Sequence, residues 1–169
     1  MRGLRLWVSL AAVAAASVVG PVVCAATAQE AVYLVRHAER VDDARDSLLS
    51  AEGRARAAHL AEMLRDAGIT AIFVSEYRRT AETAAPLAAR LGITAVKVPA
   101  DQPGVLLARV RAAGPKARIL IAGHSDTVPA LLKALGCTQQ VTIAKAEYDN
   151  LFIVIPGDKV APRLLRLRY

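Results

Sequence analysis

Short apolar runs rich in β-branched residues alternate along the chain with longer stretches whose apolar positions recur at helical spacing. The runs at 32–36, 70–74, 93–98 and 118–122 predict four strands, and 150–155 and 164–167 predict two more. Helices are predicted at about 51–66, 79–91, 105–112 and 130–135. Ser50 is placed to cap the first helix, Ala58, Leu60, Ala61 and Leu64 can share one of its faces, and Gly68 is placed to stop it. Gly92 and Gly136 close the second and fourth helices. Pro129 falls near the start of the last, where proline is tolerated. Segment 41–46 reads as an acidic, flexible loop, 99–104 as a second loop, and 156–159 as the turn of a terminal hairpin. Strands alternating with helices predict an α/β fold: a three-layer α/β/α arrangement whose sheet is mostly parallel, with antiparallel pairing at one end. Residues 29–169 carry no internal repeat or linker, so one domain is expected there.

The first 28 residues break this rhythm. A short basic start, with Arg2 and Arg5, precedes an uncharged and mostly apolar run, and Ala26-Thr27-Ala28 fits the small-x-small rule for cleavage. Residues 1–28 are expected to be a secretory signal peptide, leaving 29–169 in the periplasm or outside the cell with no stable membrane association. An uncleaved anchor is the rival, but the run is slightly short for a span and contains Gly20-Pro21. Lipid attachment at Cys24 is weaker still, because Val23 is bulky. Loss of the signal removes Cys24, so Cys137 is left as a single thiol, read as a small apolar side chain and with no partner for an internal disulfide.

The same cut removes Arg2 and Arg5 and lowers the formal charge from +7 to +5. A modest positive field suits an anionic substrate. It does not suit nucleic acid, because the basic residues are scattered and no aromatics interleave with them. Arg163, Arg166 and Arg168 read as a solvated strand face, and His59 as a helix-surface residue. The three histidines lie far apart without paired spacing, so no metal site is expected.

Chemistry concentrates where strands end. The first strand runs into Arg36-His37-Ala38-Glu39, the second into Ser75-Glu76-Tyr77-Arg78-Arg79, and the fourth into Gly123-His124-Ser125. In a parallel sheet these ends open on one side, where α/β proteins bind ligands. An arginine beside a histidine suggests a phosphate site that contains a nucleophile. Nothing in the chain resembles a Walker loop or a serine nucleophile elbow.

These segments resemble, in order, the signatures of the histidine phosphatase (phosphoglycerate mutase-like) superfamily. Arg36-His37-Ala38-Glu39 resembles its Arg-His-Gly element. Leu49-Ser50-Ala51-Glu52-Gly53 resembles its Leu-Thr-x-x-Gly helix start. Residues 75–83 resemble its Ser-Pro-Leu-x-Arg-Ala-x-Gln-Thr segment, and Gly123-His124-Ser125 its Gly-His element. The resemblance covers nearly all of 29–169. It implies His37 as nucleophile, Arg36 and Arg79 as phosphate-binding groups, and His124 as a donor to a phosphoryl oxygen. Residue-level reasoning alone does not separate Arg78 from Arg79.

Three positions depart from the pattern. Ala38 stands for glycine, and its methyl group is expected to crowd the loop; Glu76 stands for proline and Glu82 for glutamine. Glu39 and Glu82 are read as helix-end or surface acids. The leaving-group acid has no clear counterpart: Asp126 and Asp101 are the candidates, with helix capping as the competing role for Asp126 and no dedicated acid as the third option. The function implied is a cofactor-independent phosphatase. It would act on a small phosphorylated substrate or a phosphoprotein through a phosphohistidine. The alternatives are a non-catalytic anion-binding envelope domain on the same fold and, less favoured, a phosphomutase. Substrate identity and oligomeric state are not legible.

Overall fold

The computed structural model describes residues 29–157 and 160–169. The signal-peptide segment 1–28 lies outside the described residues, as do Asp158 and Lys159 of the terminal turn. The elements in chain order are β1 (Ala31–Arg36), α1 (Ala51–Met63), β2 (Ala71–Val74), α2 (Arg78–Leu91), β3 (Val96–Lys97), α3 (Pro103–Ala112), β4 (Arg118–Gly123), α4 (Thr127–Ala134), β5 (Asn150–Ile155) and β6 (Arg163–Arg168). One six-stranded sheet has the order β3-β2-β4-β1-β5-β6. The first four strands of that order are mutually parallel, β5 is antiparallel to β1, and β6 reverses again. The reversed strand therefore lies one in from the edge.

Two apolar layers sandwich the sheet. One face packs Phe73, Ile119, Ile121 and Phe152 against Val110 of α3 and Val128, Leu131 and Leu132 of α4, and buries Cys137 among them. The other packs Ile72, Leu120 and Leu151 against Leu60 of α1 and Leu87 of α2. The central strands are apolar throughout because both of their faces are covered. The three-layer reading holds.

Element boundaries moved for local reasons. Helix α1 ends at Met63, not Asp66, and its buried stripe is Gly53, Ala57, Leu60 and Ala61. Ala58 is exposed, because Ala57 is the residue four positions from Gly53. Gly68 sits five residues past the helix at φ +66°, in the turn that leads to β2. Strand β3 keeps two residues of the expected six. Gly92 caps α2 in the left-handed region, and the Ile93 amide still bonds back to Ala88, so the chain joins the sheet late. Helix α3 begins at Pro103 and α4 at Thr127, since a proline in the first turn gives up an amide that has no helical partner.

The sheet register positions the functional end. Arg36 lies opposite Gly123, and Val74 opposite Ala122. The His37 amide extends the ladder to the Gly123 carbonyl at 2.9 Å. The first residues past three adjacent strands, His37, Ser75 and His124, thus emerge on one edge.

Helix α1 braces the chain just after β1. Ser50 accepts from the Gly53 amide at 3.0 Å, and the Ser50 amide bonds the Glu39 carbonyl at 2.9 Å. A Cβ on Gly53 would lie 2.2 Å from the Glu39 carbonyl oxygen. Glycine is thus required by close backbone approach, not by its dihedrals. Gly53→Ala is expected to displace the segment behind His37. It should cost about 1–3 kcal/mol, the usual range for overpacking. Thermal unfolding measured against wild type checks this, and an unchanged melting temperature would contradict it.

Candidate active site

A cavity of about 620 Å³ opens where the three strand ends meet, lined by Arg36, His37, Arg40, Arg45, Arg79 and His124, with Glu76, Asp101 and Asp126 also contributing. His37, Arg36, Arg79 and His124 are each less than a tenth exposed, yet all four face this opening. The imidazoles of His37 and His124 lie edge to face, with centroids 5.4 Å apart. The convergence expected from sequence is present.

Backbone contacts fix His37. Its Nδ1 lies 2.8 Å from the Ala38 carbonyl oxygen, an acceptor, so Nδ1 carries the proton and Nε2 keeps its lone pair. Burial pushes the His37 pKa down to about 3, with smaller contributions from His124, Arg79 and Arg36, while the Ala38 hydrogen bond opposes the shift. The ring is neutral at neutral pH, as a nucleophile requires. Ala38 does not crowd the loop. Its methyl group is fully buried with Leu49 and Ala57, its amide donates to Thr83 Oγ1 at 2.9 Å, and no non-glycine residue among those described has positive φ.

His124 is held differently. Thr80 Oγ1 donates to the Tyr77 carbonyl at 2.8 Å and so must accept from the Ser75 hydroxyl, 2.9 Å away. Ser75 Oγ in turn accepts from His124 Nε2 at 2.9 Å. This relay assigns the proton to Nε2 and leaves Nδ1 as a lone pair, 3.4 Å from Arg79 Nη2. Burial, then Arg79, lowers the His124 pKa to about 4, against weaker opposing effects of Asp126 and Glu76. The expectation that His124 donates to an oxyanion therefore carries a condition: Nδ1 must first take up a proton.

The arginines separate clearly. Arg79 faces the cavity, stacks over Tyr77 at 4.3 Å and donates from Nη1 to the Arg45 carbonyl at 2.6 Å. Arg78 points away and pairs with Asp46. Arg36 stacks over Tyr148 at 4.0 Å, and its Nη1 donates to the carbonyls of Ala144, Lys145 and Glu147 at 2.9–3.1 Å. Nε of both Arg36 and Arg79 is buried without an acceptor. Burial works against the charge of each guanidinium.

Several supports were not legible. Arg40, Arg45, Tyr77 and Tyr148 were missed. The loop at 41–46 is tethered: Arg40 pairs with Asp43, Asp46 with Arg78, and the Val41 amide with the Leu48 carbonyl. Its acidic look is consumed by these pairs, and Arg45 is left lining the cavity. A basic residue among three aspartates was the available signal. Glu39 and Glu82 are tethers rather than surface acids. Glu39 takes a two-point hydrogen bond from Arg56 Nε at 2.8 and 2.9 Å, and Glu82 accepts the Leu49 amide at 2.8 Å. Glu76, in the place of proline, holds the Ala100 amide at 2.8 Å. Asp126 heads α4 but makes no capping bond; Thr127 Oγ1 accepts the His124 amide instead, at 2.8 Å. Asp126 and Asp101 are both exposed at the cavity rim. Residues 163, 166 and 168 are exposed as expected, with Arg166 and Arg168 paired to Glu147. His59 is exposed on α1.

Comparison with known proteins agrees with this geometry. Residues 32–101 match the family model described as histidine phosphatase superfamily (branch 1). That segment, which holds Arg36, His37 and Arg79, carries the sequence pattern of the histidine phosphatase superfamily. A mycobacterial glucosyl-3-phosphoglycerate phosphatase is similar in structure, with a TM-score of 0.65 at 16% identity over 83% of this chain and 98% of that one. An Escherichia coli K-12 protein assigned as an alpha-ribazole-5'-P phosphatase gives 0.69 at 13% identity, over 83% and 97%. An Agrobacterium tumefaciens protein assigned as the phosphohistidine phosphatase SixA gives 0.61 at 21%, also over 83% and 97%. These likenesses show a shared fold. A search of curated protein sequences returned no match.

The two buried neutral histidines make a statement about acid stability. Unfolded, each titrates near its ordinary value of 6.5; folded, near 3 and 4. As pH falls below about 6.5 the unfolded chain binds protons that the native chain refuses, so stability declines from there down to about pH 3–4. Calorimetric melting temperatures between pH 7.5 and 4.5 should fall more steeply for wild type than for a His37→Asn, His124→Asn double variant. Parallel curves would contradict the assignment.

Proposed function

We propose that this protein hydrolyses phosphomonoesters, or a phosphorylated protein side chain, through a phosphohistidine on His37. The match to the superfamily model supports phosphatase activity in general. One observation carries the finer reading. The Nδ1 bond to Ala38 leaves Nε2 of His37 with its lone pair, and His37 lines a cavity whose wall includes four arginines. A lone pair ringed by cations is suited to attack on a dianionic phosphoryl group.

In the first step His37 Nε2 forms a bond to phosphorus as the ester P–O bond breaks. The alkoxide takes a proton from a rim carboxylic acid, Asp126 or Asp101, or from water. Nδ1–H stays on the Ala38 carbonyl and supports the positive charge that develops on the ring. In the second step water attacks phosphorus and returns its proton to the group that protonated the alkoxide, the P–N bond breaks with its electron pair going back to Nε2, and inorganic phosphate leaves with His37 neutral again. The sum is ester plus water giving alcohol plus phosphate, and no cofactor is consumed. Arg36 and Arg79 line the cavity, and their guanidinium groups hold the phosphoryl oxygens. If residues 1–28 act as an export signal, the substrates lie outside the cytoplasm.

Brief mixing with substrate followed by mild alkaline quench should trap one acid-labile phosphate per chain. His37→Asn should trap none and lose turnover by roughly three orders of magnitude. A His37→Asn variant that turns over at the wild-type rate would overturn the reading.

Binding of a full dianion should also draw a proton onto His124 Nδ1, because the adjacent negative charge favours the imidazolium. Titration calorimetry with tungstate near pH 7.5, in two buffers of different ionisation enthalpy, should show uptake approaching one proton per site. The uptake should vanish in His124→Asn. Binding with no buffer dependence would show that His124 stays neutral. Tungstate binding without turnover of any phosphomonoester would favour a non-catalytic anion-binding domain.

A further inference from the structure

A second cavity, of about 340 Å³, adjoins the first and runs between the sheet and helices α3 and α4. Its wall is Phe73, Val98, Leu106, Ile121, Ala130 and Leu131, with Pro99 and Pro103 near the mouth. Protein interiors are close-packed, with few voids larger than a water molecule. An opening of this size is within the range of small-molecule sites. The two cavities share Ala100, Asp101, His124, Asp126 and Thr127. A phosphoryl group held against His37 therefore has its ester bond at this shared boundary, and whatever lies beyond the bridging oxygen has the apolar chamber within reach.

The wall chemistry selects what can enter. Ser75 reaches the chamber, but its hydroxyl is engaged with Thr80 and His124. The carboxylates of Asp101 and Asp126 sit at the shared rim, not in the depth. A sugar or polyol would exchange its water shell for carbon. An alkyl or aryl group would lose only unfavourable hydration.

We propose that this chamber is the leaving-group site and that the preferred substrates are phosphomonoesters of apolar alcohols. The proposal rests on the phosphatase reading of the adjoining cavity. Transfer energetics set an upper limit of about fourfold in affinity per buried methylene.

The test is a series of n-alkyl monophosphates from ethyl to hexyl. These alcohols have nearly the same acidity, so the intrinsic reactivity of the ester stays constant and the chamber is what varies. kcat/KM is expected to rise at least tenfold across the series, with glycerol 1-phosphate near the ethyl value. Ala130→Phe, at an exposed wall position, should collapse the hexyl-to-ethyl ratio towards one. A flat series with measurable turnover would overturn the chamber proposal and leave the phosphatase reading standing. If no ester is hydrolysed, the phosphatase reading fails. The chamber is then judged by calorimetry with ethyl- to hexylphosphonate, where affinity rising with chain length supports it and constant affinity overturns it.

Discussion

Everything at the functional end depends on β4 lying between β1 and β2 in parallel register. Arg36 opposite Gly123 and Val74 opposite Ala122 bring three strand ends to one level. Shifting either pairing by one residue would turn every side chain on that strand to the opposite face. The apolar side chains on both faces of these strands oppose such slips, because each face packs against its own pair of helices. The core thereby specifies the position of His37 and His124, although neither belongs to it. Gly123 adds a local condition. A Cβ there would lie 2.8 Å from Thr127 Oγ1, the atom that accepts the His124 amide, so the last residue of β4 must be small for α4 to start where it does.

This arrangement gathers like charge. Arg36 and Arg79 are buried, and among the described residues neither forms an ion pair with a carboxylate, a costly state for a cation. Two devices offset it, carbonyl acceptors and an aromatic face. Arg36 lays one nitrogen against three carbonyls of the 144–147 segment and its plane on Tyr148. Arg79 does the same against the Arg45 carbonyl and Tyr77. Each still retains a donor without an acceptor. The histidines respond in the opposite sense and stay neutral, chiefly because burial penalises the charged ring and secondarily because of the neighbouring positive groups. A dianion bound among these groups would relieve the repulsion between them.

The parts of this legible in sequence were those with a local signal. Apolar runs ending in charge marked β1, β2 and β4, and the motif order gave His37, Arg36, Arg79 and His124. Ser50 and Gly92 announced their caps through backbone chemistry. What stayed hidden was non-local. No spacing shows that Glu39 meets Arg56, that Glu82 holds Leu49, or that Tyr148 lies under Arg36, because these pairs form only once helix and strand are packed. The acidic loop misled for the same reason. Its charges are opposed by Arg40 nearby and by Arg78 from a different element, which a count along the chain does not see. The brevity of β3 had a visible cause in Gly92, but how far the chain must travel before rejoining the sheet is set by α2 packing.

The acids at the rim follow from one substitution of roles. Asp126 occupies the position from which an aspartate ordinarily caps a helix, and Thr127 has taken over the contact with the preceding strand end. Glu76 is spent on the Ala100 amide. Among the described residues of the cavity wall, Asp101 and Asp126 are the carboxylates left without a side-chain hydrogen bond, and both stand where the polar and apolar chambers meet. On the proposed mechanism, the departing oxygen would take its proton at that boundary. On the proposed reading, the polar chamber would take the phosphorus and the apolar one the carbon, which places the candidate acids between them.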